Sequence, residues 1–139
     1  MNLDELIGKV LADDEQSRAL VAKASFQHLL ARVFSDYEED SAAELLLGIL
    51  KVIVSSDHLA SAAEWKLFNF VLGREYTYDQ YVALTDYGSD PELVDAVDRE
   101  IDAMDEESKM HAILLALCFI TIDGEVTDSE KALLAKIIA

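Results

Sequence analysis

The chain has 139 residues, of which 52% are hydrophobic, and 28 acidic residues against 11 basic ones give it a formal net charge of −17. This length predicts a single domain over 1–139 with a self-supporting core, and the apolar content excludes intrinsic disorder. A single cysteine excludes an internal disulfide framework and a multi-cysteine zinc site. Five glycines and one proline are typical of long helices rather than of a β-sandwich.

The negative charge opposes nucleic-acid binding, which requires clustered lysine and arginine, and it would repel anionic membrane surfaces. The acids are concentrated between Asp90 and Glu107, where nine acidic residues accompany one base, Arg99. Two interpretations stay open for such a cluster. It forms solvated helix faces, or it forms a surface that binds cations or a basic protein partner.

Neither end of the chain resembles a targeting or membrane segment. The N-terminus, Met1-Asn2-Leu3-Asp4-Glu5, is acidic where a signal peptide would be basic. The longest apolar run, 112–122, is too short to cross a bilayer. The sequence therefore predicts a cytoplasmic protein without direct membrane insertion, and it predicts a buried helix for that run.

Apolar residues recur at helical spacing in successive segments, and no segment alternates with a period of two. We therefore predict an all-α fold of seven to eight helices. The predicted helices span 3–11, 17–34, 41–54, 61–72, 77–86, 91–104, 108–122 and 127–138. The expected apolar residues of the second helix are Leu20, Val21, Ala24, Leu29, Leu30 and Val33.

Three of these helices begin with the pattern Ser/Thr-x-x-Glu, a capping box in which hydroxyl and carboxylate satisfy free backbone amides. The three pairs are Ser41 with Glu44, Ser61 with Glu64, and Thr127 with Glu130. Gly73 is placed to end the helix that begins at 61.

Two helical hairpins, 53–72 and 119–138, align without gaps. The matched polar positions are Asp57 with Asp123, Ser61 with Thr127, and Glu64 with Glu130. The shared frame of apolar helix, Asp, capping box and amphipathic helix predicts two hairpins related by a pseudo-two-fold axis.

The second motif, Asp-Gly-Glu-Val-Thr-Asp-Ser-Glu at 123–130, resembles the tellurite-resistance TerB-like family. The N-terminal domain of DjlA-type co-chaperones is similar to the same module. The first motif departs from the pattern, since His58 stands where the family has Gly and Ala60 replaces a bulkier aliphatic residue. The similarity is strongest over 41–139. It implies a non-enzymatic helical module of bacterial stress and tellurite response that binds a divalent cation or a protein partner.

The acids of the two motifs have two explanations. Capping accounts for Glu64 and Glu130 without a metal. Asp57 and Asp123, in contrast, follow helix C-termini, where the helix dipole disfavours negative charge, so either a turn or a bound cation must compensate. The predicted ligands of such an ion, calcium or magnesium, are Asp57, Glu64, Asp123, Glu125 and Glu130.

A calcium EF-hand is not expected, because loop positions 1 and 3 would be Phe119 and Thr121 rather than carboxylates. The three histidines, His28, His58 and His111, show no zinc-binding spacing. His111 and Cys118 share a helix face, which favours core packing, and Cys118 is expected to be an inert buried thiol.

Aromatic residues are concentrated between 65 and 87, and either core packing or an aromatic-rimmed interaction groove would explain them. No nucleophile, phosphate loop or catalytic acid pair stands out, so no enzymatic activity is expected. The alternative to the cation- or partner-binding module is a stand-alone interaction domain without an ion, related to co-chaperone N-terminal domains. Self-association is left open.

Overall fold

The computed structural model describes residues 3–35, 42–53, 62–87, 91–123 and 128–138. Within these ranges the chain forms eight α-helices and no β-strand, which confirms the predicted all-α fold. The helices are α1 (Leu3–Ala12), α2 (Glu15–Arg32), α3 (Ala42–Ile53), α4 (Ala62–Leu72), α5 (Tyr78–Tyr87), α6 (Pro91–Asp102), α7 (Glu106–Ile120) and α8 (Asp128–Ile138). A short 3-10 turn, Thr121–Asp123, follows α7.

Several helix starts are fixed by side chains that accept hydrogen bonds from free backbone amides. The carboxylate of Asp14 accepts from the amide of Ser17 at the start of α2 at 2.7 Å, and Asp105 accepts in the same way from Ser108 at the start of α7. These bonds lower the pKa of both carboxyls. The hydroxyls of the three predicted capping boxes, at 41, 61 and 127, lie outside the described residues.

Helix α7 is the most deeply buried element. Its apolar residues from Leu115 to Ile120 are at most 2% exposed. It packs most extensively against α2 and also contacts α1 and α8. An apolar helix surrounded by other helices in this way is typical of the centre of a bundle.

Helix α3 is also buried, but its main neighbour is α6 rather than α7. Gly48 allows this approach, because a Cβ atom there would lie 3.0 Å from Cγ2 of Val97 on α6. The contact of α3 with α7 is less extensive than its contact with α6. Helix α4 packs mainly against α2, whereas α8 packs against α7, and the pseudo-two-fold relation between the two hairpins stays a prediction.

The buried face of α2 agrees only in part with the predicted one. Leu29 is buried as predicted, and Val21, Leu30 and Val33 pack against the core. Leu20, however, is 54% exposed, and Ala24 is exposed as well. The other buried residues of α2 are Ala22, Ser25 and Phe26. Leu20 lies on the side of α2 that faces α4 and solvent.

The link between α4 and α5 is held by side chains of α4. Gly73 ends α4 with a φ of 66°, as predicted for this glycine. Trp65 Nε1 and Asn69 Nδ2 both donate to the carbonyl oxygen of Tyr76, at 2.7 and 3.0 Å. The amide of Tyr76 donates in return to Asn69 Oδ1 at 3.1 Å. Hydrogen bonds between side chains of α4 and the backbone of Tyr76 therefore fix the segment after α4, in addition to packing.

The aromatic residues between 65 and 87 are only partly in the core. Phe68 and Tyr81 are fully buried, with ring centroids 5.0 Å apart, and belong to the core. Phe70 is 42% exposed and faces a surface groove. Among the described residues, no helix combines the length and apolarity needed to cross a membrane.

Candidate functional site

The acids predicted as cation ligands lie only partly within the described residues. Glu64, in the first turn of α4, is 7% exposed, and Glu130, in the first turn of α8, is 3% exposed. Asp57 and Glu125 lie outside the described residues, as does the side chain of Asp123. The proposed five-residue ligand set therefore stays a prediction, although its two described members are both buried carboxyls.

Glu64 faces the aromatic residues of α5. Burial raises the pKa of the Tyr81 phenol, and the charges of Glu64 and Tyr78 raise it further. The carboxylate of Glu64 therefore lies close enough to Tyr81 to disfavour a second negative charge there. This places Glu64 at the junction of α4 and α5.

A groove of about 530 Å³ runs between α2 and α4, with the C-terminal end of α7 at its base. Leu20 of α2 and Phe70 of α4 border it with exposed apolar side chains, and Leu67 lies half-buried beside them. The base includes Cys118 and Ile122. The groove is therefore an apolar surface open to solvent.

Basic side chains surround this groove, although the chain as a whole is acidic. Among the described residues, Arg18 and Lys66 line it together with one acid, Glu15. Lys23 lies 5.1 Å from the centre of the Phe70 ring and donates to the carbonyl oxygen of Phe70 at 3.1 Å. Such a contact of an ammonium with an aromatic face is attractive. The described part of the lining therefore carries more basic than acidic side chains.

Cys118 lies buried at the base of the groove. It is 1% exposed, and burial raises the pKa of its thiol to about 12. Since the thiolate is the reactive form, this environment disfavours reaction of the thiol at neutral pH.

A second cluster lies on the other half of the α2–α7 contact. His28 projects from α2, while Glu107 and His111 lie one turn apart on α7, and one potential ligand atom from each falls within 4.8 Å of the others. The two imidazole rings stack with centroids 4.0 Å apart and an angle of 26° between their planes. Nδ1 of His111 lies 3.3 Å from the hydroxyl of Ser25.

Neither the spacings between the histidines nor the spacing of His111 and Cys118 indicates this cluster in the sequence. The spacing Glu107-x-x-x-His111 could have indicated two side chains on one helix face. The third member, His28, is brought in only by the packing of α2 on α7.

The surroundings of His111 favour its uncharged imidazole. Burial lowers the pKa of His111, and the neighbouring His28 lowers it further, while Glu107 opposes the shift. Asp105 is also close, since His28 and Arg32 contribute to the low pKa of its carboxyl.

Comparisons with protein-family models, with curated proteins and with solved structures give no significant match to this chain. The resemblance to the TerB-like family accordingly rests on the motif residues at 123–130 and on their weaker counterpart at 57–64.

Proposed function

We propose that this chain is a non-catalytic, TerB-like helical module of a bacterial stress or tellurite response that acts by binding a protein partner. The TerB-like part is supported by the motif at 123–130 and is compatible with the all-α fold. The observation that carries the partner-binding part is the apolar groove between α2 and α4.

Two exposed apolar side chains on neighbouring helices favour a docking role for this groove. Leu20 is 54% exposed and Phe70 is 42% exposed, and both border the same depression. Grooves between two helices commonly receive the apolar face of a third helix, which inserts side chains at helical spacing. Burying both residues under a partner would remove this apolar area from water.

The charges around the groove define the chemistry of the occupant. Among the described lining residues, Arg18 and Lys66 outnumber Glu15, and Lys23 lies beside Phe70, in a chain whose net charge is −17. We therefore expect an amphipathic helix with an apolar face and at least one carboxylate that meets Lys66. The net charge of the whole module still favours a partner that is basic outside the docking segment.

The proposal is tested by photo-crosslinking from the groove in cells of the source organism. A benzophenone amino acid at position 20 should crosslink a partner segment with apolar residues at helical spacing and a carboxylate. The matched control places the same probe at Leu11 of α1, a leucine that is 40% exposed and does not line the groove.

Binding of the segment so identified is then measured with the purified full chain. A synthetic peptide of that segment should bind the unmodified chain, and both Leu20→Ser and Lys66→Glu should weaken binding at least tenfold, while Leu11→Ser should not. Equal crosslinking from positions 11 and 20, or peptide binding that is unaffected by Leu20→Ser, would show that the groove is not the docking site.

Cation binding by the hairpin acids is a second candidate, favoured by the burial of Glu64 and Glu130. Calcium and magnesium prefer carboxylate and carbonyl oxygens as ligands. In this proposal Asp123, the backbone of Glu125 and Glu130 bind calcium or magnesium, with Asp57 and Glu64 in the equivalent hairpin.

Calcium should then raise the melting temperature of the unmodified chain, and Asp123→Asn should abolish that rise. Since asparagine serves in turns as well as aspartate does, the competing turn explanation predicts little effect of this substitution. A flat calorimetric titration with calcium, magnesium and manganese would leave the alternative of an interaction domain without an ion.

A further inference from the structure

We propose that His28, Glu107 and His111 form a binding site for a divalent transition metal, with Zn²⁺ the expected ion, that joins α2 to α7. None of these residues belongs to the predicted hairpin ligand set. The site also lies outside the groove lining. The inference is therefore independent of the proposed partner and of the proposed calcium or magnesium site.

The first argument is the geometry of the donor atoms. One donor from each of the three side chains lies within 4.8 Å of the other two. Around a tetrahedral zinc ion with bonds of about 2.0–2.1 Å, donor atoms are separated by about 3.4 Å. Glu107 is exposed and can rotate, and the imidazoles of His28 and His111 would leave their present stacking to direct a nitrogen of each at one ion. The two helices that carry these side chains are firmly packed, because α2 and α7 form the most extensive helix contact in the described part of the chain.

The second argument is the orientation of the His111 ring. Its Nδ1 lies 3.3 Å from the hydroxyl of Ser25, which is 1% exposed. When Nδ1 carries the proton and donates it to Ser25, Nε2 has the free lone pair that a metal requires. Metal-bound histidines commonly donate their other ring nitrogen to a neighbouring acceptor, which fixes the tautomer. Ser25 is therefore a positioning residue for this ligand.

The third argument is charge. The carboxylate of Glu107 belongs to the cluster, and the carboxyl of Asp105 lies close to His28. Negative charge beside a bound divalent cation is favourable.

The donor set selects the ion. Imidazole nitrogens favour zinc and related transition metals over calcium and magnesium, which prefer oxygen ligands. Three protein ligands leave a fourth position of tetrahedral zinc for water or for a side chain of a bound partner.

The test is a calorimetric titration of the full chain with zinc chloride in millimolar magnesium, which occupies weak acidic sites. We expect one zinc ion per chain. Loss of a residue that hydrogen-bonds a metal ligand typically weakens metal binding about 10–100-fold. His28→Gln and His111→Gln each remove a ligand itself, so each should weaken zinc binding by at least that factor. Ser25→Ala should weaken it by about 10–100-fold. Cobalt should give the visible absorption of a tetrahedral nitrogen and oxygen site, and both histidine variants should lose it.

Two variants serve as matched controls. His58→Gln removes the remaining histidine of the chain, and Cys118→Ala removes its single thiol. Both should bind zinc as the unmodified chain does, and circular dichroism should confirm that every variant is folded. Absence of zinc binding by the unmodified chain, or equal affinity of His28→Gln and His111→Gln with it, would overturn the proposal.

Discussion

The guanidinium of Arg18 donates a hydrogen bond of 2.8 Å from Nη1 to the carbonyl oxygen of Thr121. This bond joins the first turn of α2 to the turn that follows α7. The carbonyl groups at a helix C-terminus lack partners within the helix and carry partial negative charge, so a cation that binds there is stabilising. The bond also holds Arg18 at the edge of the groove.

We predict that Arg18→Met, which keeps most of the apolar stem, lowers the free energy of unfolding by about 1–2 kcal/mol. This expected loss lies near the lower limit of what a hydrogen bond of a charged group contributes to stability, because Arg18 is only partly buried. Urea unfolding measures the change. Arg74→Met is the matched control, since Arg74 is exposed, and equal midpoints for the two variants would contradict the role of Arg18.

Gly73 and Gly8 should respond to alanine in opposite directions. Gly73 has a φ of 66°, so alanine there should cost about 1–2 kcal/mol through backbone strain alone, since the added Cβ would meet only Lys23 Nζ at 3.8 Å. Gly8 lies within α1 with nothing near its Cβ position, so alanine should stabilise by about 0.5–1 kcal/mol. Thermal unfolding of the two variants checks the signs, and a shift in the same direction for both would show that backbone conformation does not govern these positions.

The number and the approximate bounds of the helices could be predicted because they depend on local signals. Apolar spacing of 3.6 residues marks each helix, and local signals such as Gly73 mark helix ends within a few residues. The predicted second helix, 17–34, is observed as Glu15–Arg32, since Asp14 caps it.

The buried face of α2 could not be predicted in the same way. Apolar residues occur on several sides of this helix, and which side is buried depends on how α4 and α7 pack against it. The apolar pattern alone predicts a core position for Leu20, whereas the structure exposes this residue in the groove. The pairing of His28 with His111 depends on the same packing, which no spacing within one helix encodes.

Gly48 tests how closely α3 and α6 approach. A Cβ atom at this position would lie 3.0 Å from Cγ2 of Val97, which is fully buried and has little room to move. Gly48→Ala should destabilise by about 1–2 kcal/mol, because overpacking outweighs a gain of about 1 kcal/mol in helix propensity. In a Val97→Ala background the same substitution should become stabilising. A double-mutant cycle by urea unfolding measures the coupling, and additive effects would show that the two residues do not limit the approach.

The thiol of Cys118 should not react in the native protein. Burial raises its pKa to about 12, so at pH 8 only about one molecule in ten thousand carries the reactive thiolate. Ellman's reagent at pH 8 should therefore modify the native chain only as fast as it unfolds, and it should react at once in urea. The matched control is Lys66→Cys in a Cys118→Ala background, which places one exposed thiol on the rim of the same groove and should react at once in the native state. Rapid stoichiometric modification of native Cys118 would mean that the base of the groove opens to solvent far more often than its 1% exposure indicates.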